Sequence, residues 1–254
     1  MKLKTENDIK ILREGGHRLA TILKKVALRV VPGVSTLELD TYARELILAG
    51  GDEPAFLNYK PAGVKIPYPA SLCVSIDSEV VHGIPRKNRI VESGDVVTVD
   101  LGLKHGGLFT DHAVTVIAGD KQTPESVRLV KATREALEAG IKAIRVGGTV
   151  GDIGAAVEAV AKREGLGIVR ILSGHGVGFA VHEDPYVPNY GKAGTGEKLV
   201  PGMVIAIEPM LTLGTDKVVL ERDQYTYTTK DGSLSAHFEH TVAITEKGAE
   251  ILTK

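Results

Sequence analysis

Apolar residues recur at helical spacing in four stretches of the chain and alternate with polar ones in several others. Ile9, Leu12, Leu19, Ile22, Leu23, Val26 and Ala27 predict an amphipathic helix over about residues 6–29. Val31-Pro32-Gly33 stops it. Ser35-Thr36-Leu37-Glu38 carries a capping residue with an acid three positions on, the start signal of a second helix that runs to about Leu48. Thr123-Pro124 opens a third, marked by Val127, Val130, Ala136, Leu137, Ile141 and Ile144, and Asp152 to Glu164 is a fourth. Leu72–Ile76, residues 203–211, Tyr225–Thr229 and Leu234–Ile244 predict strands, the last two around an Asp231-Gly232 turn. Residues 52–71 are proline-rich and aperiodic and predict a long loop, of the length that often carries function. Val80 to Pro85 reads as a turn with His82 in it, and residues 169–182 as an extended glycine-rich stretch.

The pattern is sharpest over Val96–Val116. Val97, Val99 and Leu101 alternate before Lys104-His105-Gly106-Gly107, and His112, Val114 and Val116 alternate after it, which predicts a β-hairpin. A two-residue His105-Gly106 loop would pair Lys104 with Gly107 and set Asp100 directly opposite Asp111 on one face. Opposed side chains in an antiparallel pair have Cβ atoms about 4.5–5.5 Å apart. Two bare carboxylates that close repel unless a proton or a cation lies between them. Both acids could instead point to solvent from an edge strand, but their neighbours are Val, Leu, Phe and Thr.

The two halves of the chain echo each other. Gly94 followed by apolar residues and Asp100 aligns with Gly202 followed by apolar residues and Glu208. Asp111-His112-Ala113-Val114 resembles Glu239-His240-Thr241-Val242, and the turns at Gly33 and Gly148 precede similar helix starts. Each half therefore reads as two helices followed by strands that carry two acids. A pseudo-twofold fold, with halves about 1–120 and 121–254, would bring the four carboxylates into one site.

Composition narrows the picture. The 254 residues suffice for one large domain or two small ones, and the net charge of −1 gives no argument for nucleic acid or an anionic membrane. Aromatics are 4% with no Trp, which argues against a base-stacking surface. Cys73 is the only cysteine, so no intrachain disulfide and no Cys-rich zinc site is expected. No signal peptide and no run of about 20 apolar residues is visible, so a cytoplasmic protein is the default expectation.

Four clustered carboxylates need positive charge, and Lys and Arg are scarce in these strands. A pair of divalent ions fits, with His175 of Gly174-His175-Gly176-Val177-Gly178 adding one imidazole. Such an oxygen-rich set suits Mn, Fe(II), Co or Zn without selecting among them. Two ions about 3.5–4 Å apart share bridging groups and a bridging hydroxide, which points to metal-assisted hydrolysis. His82 and His182 have two readings: structural turn histidines, or donors to a developing oxyanion. His240 should face away from Glu239's side of its strand. Cys73 reads as pocket lining or core, and no Gly-x-Ser-x-Gly motif is present.

His82-Gly-Ile-Pro, Val99-Asp100-Leu-Gly, Thr110-Asp111, Gly174-His175-Gly-Val-Gly, His182-Glu-Asp-Pro, Ile207-Glu208-Pro-Met and Glu239-His-Thr together resemble the bacterial, type I methionine aminopeptidases over nearly the whole chain. The resemblance implies the α/β pita-bread fold: one pseudo-symmetric catalytic domain over 1–254, a curved antiparallel sheet inside and helices outside. It implies that Asp100 binds one of two divalent metals, that Asp111 and Glu239 bridge both, and that His175 and Glu208 bind the second. Glu208 would also move a proton between the attacking water and the leaving amine. His82 would contact the scissile amide and His182 the substrate carbonyl. Tyr59, Tyr68, Cys73 and Tyr225 match the methionine pocket by position. Three departures bear on that pocket: Val181 where an aromatic is common, Tyr225 where Trp is common, and a longer 52–71 loop.

The expected activity is removal of the initiator methionine from nascent polypeptides, with small second residues preferred. The chain is expected to act as a monomer, without nucleic acid or membrane, with transient ribosome association left open. The alternatives are a proline-directed aminopeptidase or dipeptidase of the same fold, whose members usually carry an extra N-terminal domain, and a metal-free relative that binds a partner.

Overall fold

The computed structural model describes residues 2–61 and 63–254. The four predicted helices form as α1 (Glu6–Ala27), α2 (Thr36–Ala49), α3 (Pro124–Ala143) and α4 (Val150–Glu164). Thr5, Ser35, Thr123 and Thr149 cap them, each paired with a polar residue three positions on, which satisfies N–H groups that a first helical turn leaves without partners.

The strands are β1 (Glu53–Pro54), β2 (Leu72–Ile76), β3 (Glu79–Val81), β4 (Val96–His105), β5 (Leu108–Ile117), β6 (Gly167–Ile168), β7 (Gly174–Gly176), β8 (Glu183–Val187), β9 (Val204–Ile207), β10 (Met210–Thr212), β11 (Val218–Leu220), β12 (Tyr227–Thr229), β13 (Ser235–His237), β14 (Glu239–Thr245) and β15 (Gly248–Ile251). The main sheet is antiparallel in the order β1-β4-β5-β14-β9-β7-β8, with β2 also on β4 and β15 also on β14. The smaller sheets are β13-β10-β6 and β11-β12-β3.

The halves meet where β5 pairs with β14, and the order β4-β5-β14-β9 is symmetric about that seam. The repeat extends to individual hydrogen bonds. Gly33 N–H donates to Val91 O and Val91 N–H to Val34 O, at 2.8 and 2.9 Å. In the second half Gly147 N–H donates to Leu199 O and Leu199 N–H to Gly148 O, at 2.9 and 2.8 Å. Gly94 and Gly202, at φ 104° and 91°, each stand two residues before a sheet strand, in a backbone region open mainly to glycine.

Each helix pair covers its own half of one sheet face. Leu19, Leu23 and Val26 of α1 and Leu39 and Ile47 of α2 pack with Val97, Val99, Leu101 and Leu103 of β4. Leu129 and Leu137 of α3 and Ile153 and Val157 of α4 pack with Ile205, Ile207, Val242 and Ile244. Because side chains alternate along a strand, Asp100, Asp111, Ala113 and Glu239 point to the opposite face. His112 and His240 lie on the helix side, as expected for His240, and their rings stack at 4.6 Å.

The hairpin forms with a different register from the predicted one. The turn is Gly106-Gly107, with φ 56° and 85°, so His105 pairs with Leu108, Gly102 with Asp111 and Asp100 with Ala113. Positive φ at both central residues is the type I′ requirement, which Gly-Gly meets better than His-Gly. Asp100 and Asp111 therefore sit diagonally, two residues apart along the strands, and still share a face. The bare Gly102 opposite Asp111 also gives the loop room: a Cβ there would lie 2.6 Å from the Phe56 ring.

Three other expectations are adjusted. The segment around Val80 is strand β3, followed by His82 in the left-handed region at φ 59°. The 203–211 strand divides into β9 and β10 around Glu208-Pro209, as a residue lacking an N–H does to a ladder. The 234–244 strand divides at Phe238, β13 joining a small sheet and β14 the main one.

The seam depends on Thr241, whose hydroxyl accepts from Asp111 N–H at 2.9 Å and donates to Asp111 O at 2.7 Å. Thr241→Val keeps the shape and leaves two buried backbone groups without partners. It should lower stability by about 2 kcal/mol or more, read as a lower urea midpoint at unchanged slope.

Candidate metal centre

Sheet register builds the acid cluster. Ala113 is the cross-strand partner of both Asp100 and Glu239, so those two carboxylates flank a single methyl group across three strands. Asp111 lies two residues away on the same face of β5. His240 pairs with Ile207 across β14 and β9, and continuing that register by one residue brings Glu208 beside Glu239. Asn189 donates to the Glu208 carbonyl at 2.9 Å and holds its backbone where β9 has ended. The structure thus brings together all four acids, from both halves.

His175, on β7, enters from the edge, its Nε2 3.4 Å from Glu208 Oε1. Its Nδ1 lies 2.9 Å from the Gly176 carbonyl, which can only accept. The proton is therefore on Nδ1, and the Nε2 lone pair is turned to the acids, the arrangement of a metal-ligating imidazole. One ligand atom each from Asp111, His175 and Glu239 lie within 4.8 Å of one another. Asp100 Oδ1 and Glu239 Oε1 are buried with no hydrogen-bond partner. Orphaned carboxylate oxygens and a bare imidazole nitrogen around one point fit a divalent cation.

The electrostatics agree. Burial pushes the Asp100 carboxyl up to about 7. Asp111, Glu208 and Glu239 are all held well above the usual carboxylate range, by burial first and then by the neighbouring carboxylates. Burial pushes His82 and His175 down to about 4, so both are neutral at physiological pH.

The predicted pocket residues also converge. A cleft above the acids is lined by Tyr59, Tyr68, Cys73 and Tyr225 together with His82, His175 and His182. Tyr68 meets Tyr225 edge-on at 5.1 Å, and its hydroxyl donates to the Leu72 and Gly83 carbonyls, leaving its ring to the cleft. Cys73 pairs across the sheet with Asp100, and burial pushes its thiol well up, so it is an inert wall. Val181 packs in the same apolar group. His182 lies at the exposed rim, 4.4 Å from the His175 ring centroid.

Three lining residues, Phe56, Pro61 and His237, escaped the sequence reading. Phe56 packs in the apolar group from the start of the loop. His237 is buried beneath the acids, its Nε2 3.7 Å from Glu208 Oε2 and 3.9 Å from Glu239 Oε2, with neither ring nitrogen hydrogen-bonded. Its signal was available: His237 precedes Glu239 by two positions, the spacing of residues on one strand face.

A curved sheet with helices on one face and a buried carboxylate–imidazole cluster on the other defines a class of metallopeptidase. The metallopeptidase family M24 model matches residues 10–246, and the chain belongs to that family. Within it the chain is 46% identical over 256 residues to a methionine aminopeptidase of Aquifex aeolicus, covering 100% of this chain and 99% of the relative. The crystal structure of methionine aminopeptidase from Thermotoga maritima superposes with a TM-score of 0.95 at 41% identity, covering 100% of this chain and 99% of that one. A prolidase from Pyrococcus furiosus shares the fold, with a TM-score of 0.79 at 24% identity, and this chain covers 65% of it. No helix among the described residues is long and apolar enough to cross a membrane.

Metal binding requires ionised carboxylates, so protons compete with the ion below the raised carboxyl values. The gain in Tm on adding a divalent ion to chelated protein should be larger at pH 7.5 than at pH 5.5, falling as pH drops through Asp100's value of about 7. On bare stability the two sets of groups oppose each other, the raised carboxyls favouring the folded state at low pH and the buried histidines, held down to about 4, disfavouring it there, so the metal-induced gain is the quantity to measure. An equal gain at both pH values contradicts carboxylate ligation.

Proposed function

We propose that the chain is a metal-dependent methionine aminopeptidase that removes the N-terminal methionine of nascent proteins and peptides. The observation that carries this reading is the cluster of four carboxylates and one imidazole, drawn from both halves and set beneath an apolar cleft. Membership of family M24 and full-length identity to methionine aminopeptidases support it.

Asp100, Asp111, Glu239, His175 and Glu208 would hold two divalent ions. When bound, such ions offset the buried negative charge, polarise the scissile carbonyl and activate a water. Glu208, at the edge of the cluster with Oε1 3.4 Å from His175 Nε2, would take a proton from that water and pass it to the leaving amine. His82, neutral and buried, would donate to the scissile amide, and His182 to the substrate carbonyl. Tyr59, Tyr68, Cys73 and Tyr225 would enclose the methionine side chain. We further read the metal as Co, Mn, Fe(II) or Zn, the setting as cytoplasmic, and small second residues as preferred. The runner-up is a proline-directed peptidase of the same fold.

An assay separates them. Protein stripped with chelator and reloaded with Mn, Co, Fe(II) or Zn should release methionine from Met-Ala-Ser and leave Xaa-Pro peptides intact. Release from Xaa-Pro peptides alone favours the runner-up. Asp111→Asn should lose one metal equivalent and ~10²-fold or more in activity, since removing even the hydrogen-bonded partners of metal ligands costs about 10–100-fold.

A further inference from the structure

His175 and His182 stand side by side in the cleft, yet their Nδ1 atoms have different partners. His175 Nδ1 faces the Gly176 carbonyl, an acceptor. His182 Nδ1 lies 2.6 Å from the Tyr59 hydroxyl, and the two rings are 5.1 Å apart. Distance alone does not choose the donor, since His112 Nδ1–H donates to the Glu239 carbonyl at comparably short range, but chemistry does: a neutral imidazole nitrogen is a far stronger acceptor than a phenol oxygen, and the phenol O–H a stronger donor than the imidazole N–H, so the hydroxyl donates. A hydroxyl that donates to Nδ1 places the imidazole proton on Nε2.

We propose that Tyr59 is a positioning residue that holds His182 in the tautomer opposite to that of His175. His182 then presents an Nε2–H donor to the cleft, while His175 presents the Nε2 lone pair. Interchanging the two would disable both: a protonated Nε2 on His175 cannot ligate a metal, and a bare Nε2 on His182 cannot donate to a carbonyl.

Tyr59 is itself fixed from below. The Tyr225 hydroxyl lies 2.5 Å from the Ile66 carbonyl and 3.4 Å from the Tyr59 carbonyl, so one donor reaches the backbone on either side of the loop. Tyr59 N–H in turn donates to Phe56 O at 2.9 Å, and Tyr68 N–H to Tyr59 O at 2.8 Å. Tyr225 and the longer loop, two of the departures noted in the sequence, thus act together: the loop delivers a hydroxyl to His182 and Tyr225 anchors the loop.

The tautomer assignment is independent of the proposed activity; the donor role rests on it. Nitrogen-15 NMR of the imidazoles in chelated, diamagnetic protein reads the tautomers directly. His182 should carry its proton on Nε2 and His175 on Nδ1, and Tyr59→Phe should convert His182 to a mixture. A wild-type His182 protonated on Nδ1, or a tautomer unaltered by Tyr59→Phe, overturns the assignment. In kinetics on Met-Ala-Ser, Tyr59→Phe keeps the ring in the pocket, so KM should stay within about twofold while kcat falls about tenfold. That is less than the 10²–10³ lost when an oxyanion donor is removed outright, because the imidazole remains. His182→Gln supplies an N–H donor with no tautomer to set, so adding Tyr59→Phe to it should cause little further loss. An undiminished effect in that background, or a rise in KM alone, assigns Tyr59 to packing and overturns the role. Failure of the metal-loaded wild type to release methionine would sink the activity while leaving the NMR result standing.

Discussion

Mutual repulsion among buried carboxylates is the constraint on which the rest of this structure depends. Asp100, Asp111, Glu208 and Glu239 share one face of a sheet whose other face is packed with Val, Leu and Ile. Taking an ion out of water costs several kcal/mol even after the protein relaxes, and like charges add to that. The chain meets the demand in one of two ways: protons on the carboxyls, as their raised affinities indicate, or divalent cations between them. Two orphaned carboxylate oxygens and a bare imidazole nitrogen at the same point favour the cation.

The pseudo-twofold architecture is how one chain assembles such a cluster. Neither half has enough acids to bind an ion pair, but the β5–β14 seam lays the acid face of one half against that of the other. Ala113, the partner of both Asp100 and Glu239, keeps the centre open, and Thr241 locks Asp111 to the seam. The helices stay on the far face, so the acid face is free to bear the cleft. Paired hydrogen bonds at Gly33 and Gly147 indicate that the repeat is in the backbone and not merely in the residue pattern.

Much of this was legible in the sequence because it is periodic. Helix limits followed from caps and apolar spacing, and the acid face followed from strand alternation at Asp100 and Asp111. The exact hairpin register did not: His-Gly and Gly-Gly are both plausible turns, and only the preference for positive φ at both positions selects Gly106-Gly107. The error was harmless to the site, since moving the turn by one residue shifts the pairing by two and leaves both acids on one face. Strand breaks at Pro209 and Phe238 were missed because apolar alternation continues across them while the backbone changes sheet. The Tyr59–His182 bond joins residues far apart in sequence across an aperiodic loop, and no local pattern reports it.

The claim that both halves build one metal centre has a direct test in anomalous diffraction from crystals of the Mn-loaded protein. The account predicts two ions about 3.5–4 Å apart, one beside Asp100 and the other beside His175 and Glu208, with Asp111 and Glu239 between them. Ions held by residues of one half alone, or no ion at the seam, would contradict it.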